Sequence, residues 1–577
     1  MRARRMSAAV VACVGVSLAA SSCSVRLASE VPPTSVGAEA SGGTLYMLGL
    51  GPVDSWDPQR LYVAADMAFA GRVFARTLTA WAPATQQDTV PDLAPDLAKD
   101  TGMVAAGGKT WRFTMRSDAT WQDGKPVTCA DVKYGISRTF ATTQITGGSP
   151  YALSFLDVPR NADGSSTYAG PYLKTGQAGF DKAVTCSAQT ITFRLATPVP
   201  DFNRVLALPA FGPVRADKDR GASSTTEIFS NGPYMLGTTW APSRGGTFVR
   251  NPHWDINSDP IRKARPGRIV YQEGVPVETV VSRIMTNSGL DSFAVTADSA
   301  PPVLQNNIMS TPSIRVRATN PRAPLVDYLV PNFSRPTMAN SKARQALALA
   351  TNREAYVTAV GGESAAEVTY AMINKSLPAH QDFNPLAVPP RGDSARARTM
   401  LRASGLTLPV KITVAYRKGT IADKAMAALQ QGWQDAGFSV LLEGIETDYG
   451  AAISAVQSSR DYDVMWAVGS AEWPSGSRVI PSLFDSRLNL SVSSSGQDYG
   501  RFDSPAFNAQ VDAVSKIPNA TDREKAWGDL DKQLSAEVAA IALTNRKSVF
   551  VHGSEVRNYI DNQALGGTVD LATVAVQ

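Results

Sequence analysis

The sequence predicts an α/β protein built from two or three lobes. Three observations carry this. First, Thr110–Arg116 alternates, with Trp111, Phe113 and Met115 apolar and Arg112, Thr114 and Arg116 polar, the mark of a half-buried strand. Asp123-Gly124 then supplies turn chemistry, and Thr128 is a good helix N-cap with Asp131 placed as its capping-box partner, so the segment reads strand, turn, capped helix. Second, 577 residues are too many for one hydrophobic core. Third, 44 Gly and 37 Pro imply many turns joining many short elements.

Gly43–Gly49 reads as a first strand, and Thr190–Leu195 as a later alternating strand. The turn Gly108-Lys109-Thr110 ends like a phosphate loop but leads into a strand rather than opening a helix, so it is read as a hairpin turn. No internal repeat is apparent.

The amino-terminal residues set the compartment. Arg2, Arg4 and Arg5 precede an apolar run, Ala8–Ala20, that is too short to span a bilayer. The small residues Ala19-Ala20-Ser21-Ser22 lead to Cys23, the bacterial lipoprotein pattern. Residues 1–22 are therefore expected to be a signal peptide, with Cys23 lipidated and residues 23–42 a flexible tether. The alternative is plain secretion after cleavage near Ser22. Four cysteines occur: Cys13 leaves with the signal and Cys23 takes lipid. An oxidising exterior favours pairing the remaining two, Cys129 and Cys186, against the alternative of two buried thiols. Closing that loop is worth on the order of 4 kcal/mol in the chain-entropy account.

Net charge is +5, falling to +2 once Arg2, Arg4 and Arg5 leave. No basic block points to nucleic acid. The three histidines, His253, His380 and His552, lie far apart without metal-ligand spacing, and serine-hydrolase signatures are absent. No catalysis, metal or cofactor is expected. A paired-carboxylate glycosidase stays open on composition alone.

The residues TWRFTMRSDATWQDGKPVTCADVKY, from Thr110 to Tyr134, also carry a resemblance. They are similar to the signature W-x-D-G-x-P-[VL]-T-A-x-D-V-x-[YF]-[GS] of the extracellular solute-binding proteins of peptide/nickel-type ABC importers, family 5. Trp121, Asp123, Gly124, Pro126, Thr128, Asp131, Val132 and Tyr134 match in register, while Cys129 replaces the family's Ala. Further segments follow in the family's order: Trp56-Asp57-Pro58, Met67–Trp81, Pro91–Asp100, Pro198–Val214, Ser230–Tyr234, Phe248–Asp255, Asn287–Asp291, Leu329–Phe333, Ala343–Glu354, Ala395–Gly405, Asp461–Pro474, Tyr499–Asp512 and Asp522–Glu537. The resemblance runs from Gly43 to about Tyr559.

It implies a three-lobed type II periplasmic-binding architecture with a hinge and an inter-lobe ligand cleft. Lobe I would comprise 43–61, 201–314 and 538–577, lobe II 62–200 and lobe III 315–537. It implies a monomeric receptor, tethered outside the cytoplasmic membrane, that hands a peptide-like solute to ABC permease subunits. A nickel chelate, an oligosaccharide or a signalling peptide are alternative ligands for the same scaffold; a secreted hydrolase or a scaffold lipoprotein are alternatives of another class. Aligning YDVMWAVGSAEWP with the family's "yDv...gw.aDYp" puts Glu472 at the acid that pairs with a ligand ammonium and Trp473 at the adjoining aromatic. Trp466 either lines the pocket or packs in the core. Tyr328–Phe333 would be an edge strand facing the ligand, carrying Tyr328 and a backbone-bridging Asn332.

Overall fold

The computed structural model describes residues 41–49, 51–173, 175–446, 461–490 and 496–577. The expected signal peptide, Cys23 and nearly all of the tether lie outside these residues. The described residues form one compact unit. Among the described residues, no helix is long and apolar enough to cross a membrane.

Three sheets organise the unit. The first has five strands, in the order Ala294–Thr296, Thr44–Leu48, Arg268–Gln272, Gly246–Arg250, Tyr234–Leu236. Thr44–Leu48 is parallel to both its neighbours, and the remaining pairs are antiparallel. Its core gathers Trp56, Phe69, Phe74, Trp240, Phe248 and Tyr271, all buried. The Trp56 ring meets Trp240 edge-on at 5.2 Å, the geometry that aromatic quadrupoles prefer. Beside it lies a buried charge cluster. Arg76 Nε donates to Asp96 at 2.7 Å, and Arg262 reaches both Asp96 (3.0 Å) and Asp259 (3.1 Å). Each buried charge there has opposite partners, without which burial would be costly.

The second sheet is antiparallel: Met103–Ala105, Thr110–Thr114, Thr190–Arg194, Val184–Ser187. Trp111 and Phe113 are buried as the alternation requires, while Arg112 is exposed. A hairpin turn does precede the strand, but it is centred earlier than the expected Gly108-Lys109-Thr110: Ala106–Gly108 form it, with Gly107 at φ 63°, and Thr110 already begins the strand. Thr128 caps helix Cys129–Arg138, and the reciprocal bonds with Asp131 complete the capping box. Cys129 at the start of that helix and Cys186 on the outer strand have their Cα atoms 5.9 Å apart and are joined through their sulfurs in the structure.

The third sheet has six strands, in the order Ala366–Val368, Ile541–Lys547, Arg322–Pro331, Val464–Ser470, Val410–Arg417, Phe438–Ile445. Val410–Arg417, helix Thr420–Ala436 and Phe438–Ile445 make a βαβ unit with parallel strands. Both faces are covered, one around Leu347, Leu429 and Trp433, the other around Ile480, Phe507 and Trp527.

Three segments lie elsewhere than the expected lobe limits at 62, 200 and 537 put them. Helix Ala64–Val73 contributes Phe69, Ala70 and Val73 to the first core. Phe202, Val205, Leu206 and Phe211 pack into the second core. Ile541–Lys547 is an interior strand of the third sheet. Hydrophobic pattern reports that a face is buried, not which core receives it. The strand expected at a sheet edge also differs: Arg322–Pro331 is interior, paired on one side with Val464–Ser470 and on the other with Ile541–Lys547. Both partners come from segments remote in sequence, which local alternation cannot disclose.

Candidate functional site

The loop Ala471–Ser475 joins strand Val464–Ser470 to helix Gly476–Phe484. Ser475 is the N-cap, accepting from the Ser477 N–H. Gly476 is required here: a Cβ would come within 2.4 Å of the Trp527 Cβ and 2.9 Å of the Ala379 Cβ, closer than real side chains approach. The loop is tied down by charge. Asp201 Oδ2 accepts from the Ser475 and Ser477 hydroxyls, each at 2.7 Å, and Asp201 Oδ1 accepts from Arg523 at 3.0 Å. Arg204 donates to the Pro474 carbonyl at 2.8 Å and to Glu524 at 2.7 Å, and Glu524 accepts from the Gly476 N–H at 2.9 Å. Burial opposes ionisation of Asp201, but Arg204, Arg523 and the two serines outweigh it and hold the carboxyl below its usual range.

This frame presents Glu472. Arg478, on the first turn of the helix, donates through Nε to Glu472 Oε2 and through Nη2 to Oε1 at 2.9 Å. The pair is bidentate, with side chains only 6% (Arg478) and 11% (Glu472) exposed. Tyr62, just before helix Ala64–Val73, and Tyr151, from the second lobe, lie near enough for the Glu472 charge to act on their hydroxyls. Burial chiefly raises the pKa of both tyrosines and so keeps them protonated; Glu472 adds to this and the Arg478 charge opposes it. Burial also disfavours the Arg478 charge, but the bonds and charge of Glu472 prevail and raise its pKa. Trp473 turns away into the second core, edge-on to Tyr151 at 5.0 Å. The Arg478 guanidinium lies 5.9 Å from the ring centroids of both Tyr151 and Trp473. Tyr62 is 51% exposed, so the cluster keeps one open side.

Of the residues singled out from sequence, the structure brings Glu472 and Trp473 together here. It places the other three inside the third lobe. Trp466 is buried and donates its indole N–H to the Tyr356 hydroxyl at 2.9 Å. Tyr328 is 2% exposed, packed in the core around Ile480 and Trp527. Asn332 is fully buried, donating to the Tyr462 carbonyl at 3.0 Å and accepting from Ser334.

Sequence reasoning missed Arg478, Tyr62 and Tyr151. A cation six positions after the acid, on a helix opened by a Ser N-cap, was a readable cue for Arg478. The tyrosines had none, since only the tertiary fold brings them in. One turn beyond Tyr62, Asp66 is pushed up to about 6, by burial first and then by Asp298, Asp54 and Glu273. Among the described residues, no group of three or more His, Cys, Asp or Glu is arranged to hold a metal.

Comparison with known proteins places this geometry in context. The profile of the bacterial extracellular solute-binding proteins, family 5, matches residues 92–489, more than half of the chain. The periplasmic oligopeptide-binding protein OppA of Salmonella typhimurium is 24% identical over 461 residues, covering 75% of this chain and 76% of the relative. The periplasmic murein peptide-binding protein MppA of Escherichia coli is 24% identical over 478 residues, covering 80% and 81%. Among solved structures, clavulanic acid biosynthesis oligopeptide binding protein 2 superposes with a TM-score of 0.83 at 25% identity, covering 93% of this chain and 96% of that one. The unliganded open form of MppA gives a TM-score of 0.71 at 19% identity, covering 94% and 99%. The chain belongs to the bacterial extracellular solute-binding proteins of family 5.

Proposed function

We propose that this protein is the substrate-binding component of an ABC importer and captures a peptide-like solute outside the cytoplasmic membrane for delivery to the permease. The observation that carries the reading is the alignment of 75% to 93% of the chain with relatives named for oligopeptides and murein peptides. The Glu472 cluster supports it, because it draws residues from all three lobes, Tyr62, Tyr151 and the Glu472–Arg478 pair, and keeps one open side at Tyr62.

Lobe I comprises about 43–77, 212–314 and 553–577, lobe II about 78–211 and lobe III about 315–547. Two crossing strands, Ala318–Thr319 and Phe550–Val551, pair antiparallel between lobes I and III and serve as the hinge. The ligand lies between these lobes and stabilises the closed state by contacts the open state lacks. Cys23 anchors the exported monomer by lipid, and Cys129–Cys186 is bonded in the mature chain. No bond of the ligand is made or broken. A thermal-shift screen tests the reading. A pool of random tri- to pentapeptides should raise the melting temperature, since a ligand at 100 times its Kd adds about 2.7 kcal/mol. A shift given only by oligosaccharides or a nickel chelate would contradict it.

A further inference from the structure

Resting on that peptide-binding reading, we infer that the Glu472–Arg478 pair leaves its end of the cleft without net charge, so that the recess selects a ligand end lacking an ammonium, such as an N-acylated or cyclised peptide terminus. A carboxylate offers about four acceptor positions. Arg478 fills two of them in a bidentate pair, and the Tyr62 and Tyr151 phenols lie close to the same charge. An ammonium entering here finds the carboxylate already neutralised and meets the guanidinium charge. Burying it without a free anion is costly.

The surroundings make the pair hard to open. The Arg478 side chain is 6% exposed and lies between Tyr151 and Trp473, so swinging it aside strands two buried charges. What the recess offers instead is aromatic surface with polar tips, through Tyr62 and Tyr151, which accommodates an acyl group or ring edge. Glu472 thus acts on selectivity through Arg478.

The test uses the full exported chain and two probes: a pool of random tetrapeptides with free amino ends, and the same pool N-acetylated. Retention on the protein is quantified by mass spectrometry, and individual members by calorimetry. The acetylated pool is expected to bind at least as tightly as the free-amine pool. Arg478→Met leaves Glu472 without its cation, and should shift the ratio toward free amines by about tenfold or more, which is about 1.4 kcal/mol. The double variant Glu472→Gln/Arg478→Met carries neither buried charge, so it keeps the inference testable should the single variant unfold; it should keep the preference of the original protein within about threefold. A free-amine preference of tenfold in the original protein, lost in Glu472→Gln, overturns the inference and leaves the peptide reading standing. Failure of both pools to bind overturns the reading itself, and the inference with it.

Discussion

Asp201 is the most exacting place to perturb the frame behind the site. Its carboxylate takes three hydrogen bonds, from Ser475, Ser477 and Arg523, while 2% of the residue is exposed. Asp201→Ala removes all three and leaves Arg523 buried, with only the Ile517 carbonyl at 2.8 Å and the Pro518 carbonyl at 3.2 Å. Three bonds to a charged group at about 1.5–3 kcal/mol each would overstate the loss, because they share one desolvation cost. Removal of one partner from a buried pair costs about 3–5 kcal/mol, and we expect about 3–4 kcal/mol. Asp201→Asn keeps an acceptor for Arg523 and a donor for a serine oxygen, and should lose about 1–2 kcal/mol. Urea unfolding followed by circular dichroism gives the difference as midpoint shift times slope. Because the folded Asp201 pKa is depressed, its contribution is present above the unfolded value of about 3.9 and is lost as pH falls through the lower folded value. The Ala variant and the original should therefore converge in acid. A loss below about 1 kcal/mol at neutral pH, or a difference that grows in acid, refutes the reasoning.

Other outcomes follow from the same physics. Asp66→Asn should stabilise the ligand-free protein at neutral pH by about 1–2 kcal/mol, because a carboxyl whose folded pKa is raised from 3.8 to about 6 pays for ionisation across that interval; thermal melts should show the gain above pH 6 and none below about pH 4, and a gain independent of pH would contradict the cause. Thr128→Ala breaks the capping box of helix Cys129–Arg138 and should cost about 1 kcal/mol, checked by urea unfolding, with no change contradicting it. Thiol titration of the denatured, unreduced mature chain should find neither Cys129 nor Cys186 reactive, whereas two reactive thiols would refute the bond. Cys23→Ser should move the protein from the membrane fraction to the medium, and unchanged retention would remove the lipid anchor from the account.

The parts of the fold legible in the sequence were those set by local physics. The alternation at Thr110–Arg116, the turn at Asp123-Gly124 and the cap at Thr128 each act within a few residues, so this strand, turn and helix could be read, whereas helix Gln177–Ala183 and the outer strand Val184–Ser187 of the same lobe could not. Glu472 was legible only through its resemblance in a loop motif. Trp466, Tyr328 and Asn332 show the limit. An aromatic on an alternating strand fits a cleft wall or a core equally well, and burial decides only after remote strands have paired. Arg478 lay in plain view, but its pairing depends on the Ser475 cap and the Gly476 approach, which fix the direction in which the helix departs.

Native mass spectrometry of the exported protein, purified without denaturation, tests the central claim most directly. The account predicts a species heavier than the chain by the mass of a short peptide, released on denaturation and sequenced by fragmentation. A protein that carries instead an oligosaccharide or a metal chelate, and accepts no peptide when stripped and re-exposed to a peptide pool, would contradict it.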